Sequence, residues 1–98
     1  RCISLVTFME LLQGARDKRE SRLIKGFLAD FGFRTIPLAE NIGHRAAIYI
    51  EEYGLGSGLR TADALIAATA AEYGLTLCTG DRTHYRAIRD LAIEPFRP

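Results

Sequence analysis

The chain has 98 residues, 48% of them hydrophobic and 26% charged, with a net charge of +1. That length points to a single domain, and the apolar fraction with so little net charge excludes an intrinsically disordered chain. No stretch approaches the roughly 20 continuous apolar residues of a membrane-spanning helix. Two cysteines, Cys2 and Cys78, are too few for a disulfide framework and read as reduced thiols, which with no secretory leader points to the cytoplasm.

In chain order, the short β-branched run Ile3 to Val6 reads as a strand. Thr7 to Ala15 follows as a helix, with Thr7 as N-cap and Phe8, Leu11, Leu12 and Ala15 on its apolar face. Arg16 to Phe31 is a second helix, whose stripe is Leu23, Ile24, Phe27, Leu28 and Phe31 and whose stop is Gly32. Phe33 to Leu38 is extended and is closed by Pro37. Ala39 to Tyr53 carries Ile42, Ala46, Tyr49, Ile50 and Tyr53 at helical spacing, and Gly54, Gly56 and Gly58 then read as a flexible loop. Thr61 to Tyr73 is a helix with Ala62, Leu65, Ile66, Thr69, Ala70 and Tyr73 on one face and Gly74 as its stop. Leu75 to Thr79 reads as a buried strand, Gly80-Asp81 as a turn, Arg82 to Leu91 as a short helix, and Ala92 to Phe96 as an edge strand. Short apolar strands alternating with helices give an α/β layer with a parallel sheet.

In such sheets ligands gather at the carboxyl ends of the strands. Three carboxylates fall there: Glu10 in the first turn after the first strand, Asp63 in the first turn of the Thr61 helix, and Asp81 directly after the Leu75–Thr79 strand. Each has an ordinary explanation as well. Asp63 suits a helix N-terminus without any metal, Asp81 is a usual turn and cap residue, and Glu10 can sit on a solvated face. Brought together, three carboxylates repel one another unless a cation holds them, and hard oxygen ligands suit Mg²⁺ or Mn²⁺. Such a metal activates water and stabilises charge on a phosphate.

The residues Ile3-Ser4-Leu5-Val6-Thr7-Phe8-Met9-Glu10-Leu11-Leu12-Gln13-Gly14-Ala15 resemble the second-acid segment of PIN-domain ribonucleases, particularly the VapC toxins of bacterial toxin–antitoxin pairs. Thr61-Ala62-Asp63-Ala64-Leu65-Ile66-Ala67-Ala68-Thr69-Ala70 is similar to that family's third-acid helix, and Leu77-Cys78-Thr79-Gly80-Asp81 with His84-Tyr85 to its fourth-acid turn. The resemblance implies a three-layer α/β fold, with a short parallel sheet flanked by helices. It implies a Mg²⁺- or Mn²⁺-dependent endoribonuclease, the toxin of a type II pair, with Glu10, Asp63 and Asp81 as catalytic metal ligands and Thr79 in support. RNA, an antitoxin and a second copy of the chain are the implied partners. The family's first acid ends the central strand of a sheet of order 3-2-1-4-5, and that strand has no counterpart here. Two strand pairs are therefore expected, in an N-terminally truncated and nuclease-dead form prone to exchange strands through its open edges.

Basic residues cluster at Arg16, Lys18, Arg19, Arg22 and Lys25, and at Arg82, Arg86 and Arg89. Both groups suit phosphate contacts, although charge runs on helices are usually solvated faces; Arg82, beside Asp81, is the better RNA contact. His44 and His84 have no partner at metal-ligand spacing, and the glycines at 54, 56 and 58 complete no nucleotide fingerprint. Tyr49, Tyr53 and Tyr73 read as core or interface. The competing reading is a non-catalytic interaction domain whose acids are caps and surface groups. It gives Asp63→Asn a cap's cost of about 0.5–2 kcal/mol, whereas relief of carboxylate repulsion in a metal site would make the same change stabilising.

Overall fold

A computed structural model describes residues 1–79 and 85–95, with backbone only for Thr79 and Pro95. The chain forms two compact units, Arg1–Pro37 and Leu38–Pro98.

The first unit contains β1 (Cys2–Ser4), α1 (Leu5–Gln13), α2 (Lys18–Asp30) and β2 (Arg34–Ile36). β1 and β2 are parallel, with Cys2 opposite Arg34, Ile3 opposite Thr35 and Ser4 opposite Ile36. α1 starts earlier than the sequence suggests, and its N-cap is Ser4 rather than Thr7. The Ser4 hydroxyl accepts from the Thr7 N–H at 3.0 Å and donates to the Thr7 hydroxyl at 2.9 Å. Ser4 thus ends the strand and caps the helix, with no loop between them. Residues 5 and 6 are consequently helical rather than extended, and Glu10 moves from the first turn to the second.

α2 is also capped by a residue the helical stripe leaves out. Asp17 accepts from the Glu20 N–H at 2.9 Å, while the Glu20 carboxylate accepts from the Arg16 backbone N–H at 2.8 Å and pairs with the Arg16 guanidinium. This is a variant of the capping box, reaching one residue further back. Arg16, the first cation of the basic run, is therefore tied to the helix start. The hydrogen bonds from Arg16 hold the Glu20 pKa below the ordinary carboxylate range. Gly32 stops α2 as expected: its N–H bonds to Ala29 and the Phe33 N–H to Leu28, which satisfies the last carbonyls.

The apolar stripe of α2 is only partly buried. Leu28 is covered, as are Val6 and Ile36, but Leu23, Phe27 and Phe31 are each more than half exposed. Phe27 and Phe31 instead contact one another with ring centroids 4.5 Å apart. Two three-residue strands offer too small a face to cover a thirteen-residue amphipathic helix.

The second unit contains α3 (Glu40–Ser57), α4 (Thr61–Glu72), β3 (Leu77–Thr79) and β4 (Ile93–Pro95). α3 packs along α4. The expected loop at 54–58 is in fact the last turn of α3, which runs through Gly54 and Gly56 to Ser57. The Ser57 hydroxyl there donates to the Tyr53 carbonyl at 2.6 Å. The helix ends at Gly58, whose φ of +71° lies in the left-handed region that a side chain disfavours.

α4 starts where the sequence puts it, but it buries a different face. Ala64, Ala67, Ala68, Thr69 and Ala70 are covered, while Ala62, Leu65 and Ile66 are intermediate and Tyr73 is exposed. The helix is apolar around most of its circumference, so its pattern favours no single side. Small side chains lie on the covered face and allow a close helix–helix approach. Thr69 satisfies its buried hydroxyl on the Leu65 carbonyl at 2.7 Å.

Gly74, at φ +63°, ends α4 and turns the chain towards β3, with the Leu75 N–H bonded to the Ala70 carbonyl at 2.8 Å. β3 and β4 are parallel, Leu77 opposite Ile93 and Cys78 opposite Glu94. β3 is not the buried strand expected, since Leu75 and Cys78 are exposed; among the described residues only β4 lies beside it. Residues 85–90 form turns rather than a helix, and residues 82–84 lie outside the described part. This segment is fixed by burial of Tyr85, Ile88 and Leu91. Among the described residues the strands form two pairs, as the resemblance implies.

The polar centre of this unit is Arg45 on α3. Its Nε bonds to Glu72 at the end of α4, and one terminal nitrogen bonds to Asp90 at 2.5 Å. Asn41 adds a second bond to Glu72 at 2.6 Å, and the Tyr49 hydroxyl donates to Asp90 at 2.9 Å. Burial pushes the Tyr49 phenol pKa up, against the lowering effect of Arg45. The guanidinium is held above its ordinary value, first by Tyr49 and then by Glu72.

Two predictions follow from these local arrangements. Gly56 is helical with open space around it, so Gly56→Ala should raise stability by about 0.5–1 kcal/mol, whereas Gly58→Ala should cost about 1–2 kcal/mol. Denaturant unfolding of the two variants checks both signs. Arg45 and then Asn41 hold the Glu72 pKa below its ordinary value of 4.5. On acidification the unfolded chain therefore protonates Glu72 first; the stabilisation is complete above the ordinary range and is lost as pH falls through the lowered folded value. Thermal midpoints measured across this range should fall more steeply for the parent than for Glu72→Gln.

Candidate functional site

Asp63 is the best-defined of the candidate acids. It occupies the first turn of α4, and its Oδ2 accepts the Arg60 backbone N–H at 3.1 Å. Its Oδ1 accepts from the Tyr85 hydroxyl at 3.3 Å. The first bond is the capping interaction that an ordinary helix start would show, and it satisfies an N–H that the helix leaves unpaired. The second comes from 22 residues further along the chain and has no part in capping.

Glu10 lies in the first unit, exposed in the second turn of α1. It borders an open depression of about 530 Å³ between α1 and α2, together with Leu11, Leu23 and Glu20. Thr79 closes β3. Asp81, Arg82 and His84 lie outside the described residues. Among the described residues, no group of three or more His, Cys, Asp or Glu side chains is placed to hold a metal ion. In kind, the three acids fit a hard divalent cation: all are carboxylates, and Asp63 is partly accessible and held from two directions.

Of the remaining candidates, His44 is exposed on α3 with Glu40 one turn earlier at 3.9 Å, which is no metal pair. Arg86 and Arg89 are exposed. Tyr49 and Tyr53 lie with ring centroids 6.1 Å apart, Tyr49 in the core.

Two features escape a reading by residue type. The Arg45 network joins residues 27 and 45 positions apart, and nothing local in the sequence marks those partners. Tyr85 stands beside the fourth-acid turn, but its hydroxyl has significance only once it is seen to reach Asp63. A further surface feature is an apolar groove of about 420 Å³ lined by Leu11, Leu23, Ile24, Phe27 and Leu28. No helix among the described residues is long and apolar enough to cross a membrane.

A toxin–antitoxin complex from Klebsiella pneumoniae is similar at 28% identity and TM-score 0.76, over 93% of this chain and 71% of that one. DNA-bound VapBC from Salmonella typhimurium is similar at 25% identity and TM-score 0.81, over 96% of this chain and 74% of that one. FitAcB from Neisseria gonorrhoeae is similar at 26% identity and TM-score 0.62, over 92% and 70% of the two chains. No curated protein matches the sequence. The PIN domain family matches residues 1–90, nearly the whole chain, and the chain belongs to that family.

Proposed function

We propose that this chain is the toxin component of a type II toxin–antitoxin pair, a PIN-domain endoribonuclease that hydrolyses RNA phosphodiester bonds with Mg²⁺ or Mn²⁺. The observation that carries the proposal is Asp63: an acid at a helix start, at the position of the family's third acid, held by a donor that capping does not require. The similarity to solved toxin–antitoxin complexes supports the choice within the family.

In this reading Glu10, Asp63 and Asp81 hold the cation, and Thr79 supports the site. The bound cation supplies positive charge against the scissile phosphate. The protein's own part is to keep the carboxylates ionised and oriented, and Arg82 contacts the RNA backbone. In this reading the cation offsets the negative charge of the carboxylates that hold it.

The partners in this reading are RNA, a cognate antitoxin and a second copy of the chain, as a homodimer or through strand exchange. The apolar groove between α1 and α2, with Phe27 and Phe31 uncovered beside it, supports docking of a protein chain. The cytoplasm is the compartment that RNA cleavage of this kind requires.

Metal binding is the direct readout of these carboxylates. Asp63 accepts two hydrogen bonds, so Asp63→Asn should cost about 0.5–2 kcal/mol without metal in either reading, and the sign of that change no longer separates them. The metal response does. Thermal unfolding with Mn²⁺ should raise the parent's midpoint, by about 2.7 kcal/mol of stability at a hundredfold excess over the dissociation constant, and leave Asp63→Asn unmoved. Equal responses in both chains would favour a non-catalytic interaction domain.

A further inference from the structure

Tyr85 is buried to 7% exposure, yet its hydroxyl is not spent on its own turn. That turn is closed by backbone, with the Ile88 N–H on the Tyr85 carbonyl at 3.0 Å. The segment from Tyr85 to Leu91 is then anchored twice to the helices of its unit. At one end Tyr85 donates to Asp63 at the start of α4; at the other Asp90 is held by Arg45 and Tyr49 on α3. Ile88 between these anchors and Leu91 just beyond them are buried, which leaves the segment little freedom to shift.

The effect on Asp63 follows from the two directions of approach. The Arg60 N–H holds Oδ2 as part of the helix start. The Tyr85 hydroxyl fixes the other oxygen from a rigid aromatic stem with only two torsions of its own. We propose that Tyr85 is a positioning residue, which sets the carboxylate of Asp63 for a divalent cation by holding Oδ1 while the Arg60 backbone holds Oδ2. This deepens the reading of Asp63 as a metal ligand and rests on it. Outer partners of this type orient a ligand before the metal arrives, and losing one weakens metal binding by about 10–100-fold.

The same arrangement connects the ligand to the chain around it. Residues 80–84, with Asp81 among them, lead directly into Tyr85. The 85–91 turn sets the position of Tyr85, and the hydroxyl–Oδ1 hydrogen bond carries that position to Asp63.

Tyr85→Phe removes the hydroxyl and keeps the ring in the core, so it separates positioning from packing. Mn²⁺ binding to the 98-residue chain, read from the loss of free-Mn²⁺ signal in electron paramagnetic resonance, should weaken by about tenfold or more in Tyr85→Phe and vanish in Asp63→Asn. Thermal unfolding of each variant without metal reads packing alone. A purely structural tyrosine would change that midpoint and leave Mn²⁺ affinity untouched. Parent-like Mn²⁺ affinity in Tyr85→Phe, with binding lost in Asp63→Asn, would overturn the positioning role and leave Asp63 as a ligand. Asp63→Asn indistinguishable from the parent would overturn both.

Discussion

Arg45 joins three stretches of the second unit that the chain brings together from far apart. One guanidinium reaches the end of α4 through Glu72 and the 85–91 turn through Asp90, while its stem remains on α3. A planar group with several fixed donors can do this; a lysine, with one flexible point charge, could not hold the same set of partners. Arg45 is partly exposed, so its value lies less in raw ion-pair strength than in fixing geometry. Once Asp90 is held, the turn before it is held, and Tyr85 is delivered to the start of α4.

Around that start the demands of folding and of function coincide. A helix needs an acceptor near its first N–H groups, and Asp63 provides one to Arg60. A carboxylate meant for a cation needs a fixed direction, and the same bond supplies half of it. Tyr85 supplies the other half at the cost of placing a phenol in the core, where it must find an acceptor. In the proposed reading the helix start accounts for the bond at Oδ2, and positioning for a cation accounts for the bond at Oδ1.

Much of this was readable in the residues. The helix beginning at Thr61 and the stops at Gly32 and Gly74 follow from punctuation and pattern, whereas the two strand pairs followed from the family resemblance. The failures have definite causes. Ser4 and Thr7 are both hydroxyls one helical turn apart, and the choice of Ser4 as cap depends on the strand ending there. Gly54 and Gly56 signal a loop by propensity, but a glycine costs a helix only about 1 kcal/mol, and α3 continues through both to Ser57. In α4 the apolar residues surround the axis, so periodicity could not say which side would meet α3. The place of Asp63 in the first turn of α4 was legible, whereas the contacts of Tyr85 and Arg45 span 22 to 45 residues and become visible only in the folded chain.

The central claim is that Asp63 is a metal ligand whose orientation is built into the fold. Anomalous diffraction at the manganese edge from crystals soaked in Mn²⁺ tests it most directly. The account predicts a peak at bonding distance from the Asp63 carboxylate, with Glu10 and Asp81 also supplying oxygens and the Tyr85 and Arg60 bonds still in place. A Mn²⁺ peak held by other side chains, or none beside an Asp63 that only caps its helix, would contradict it.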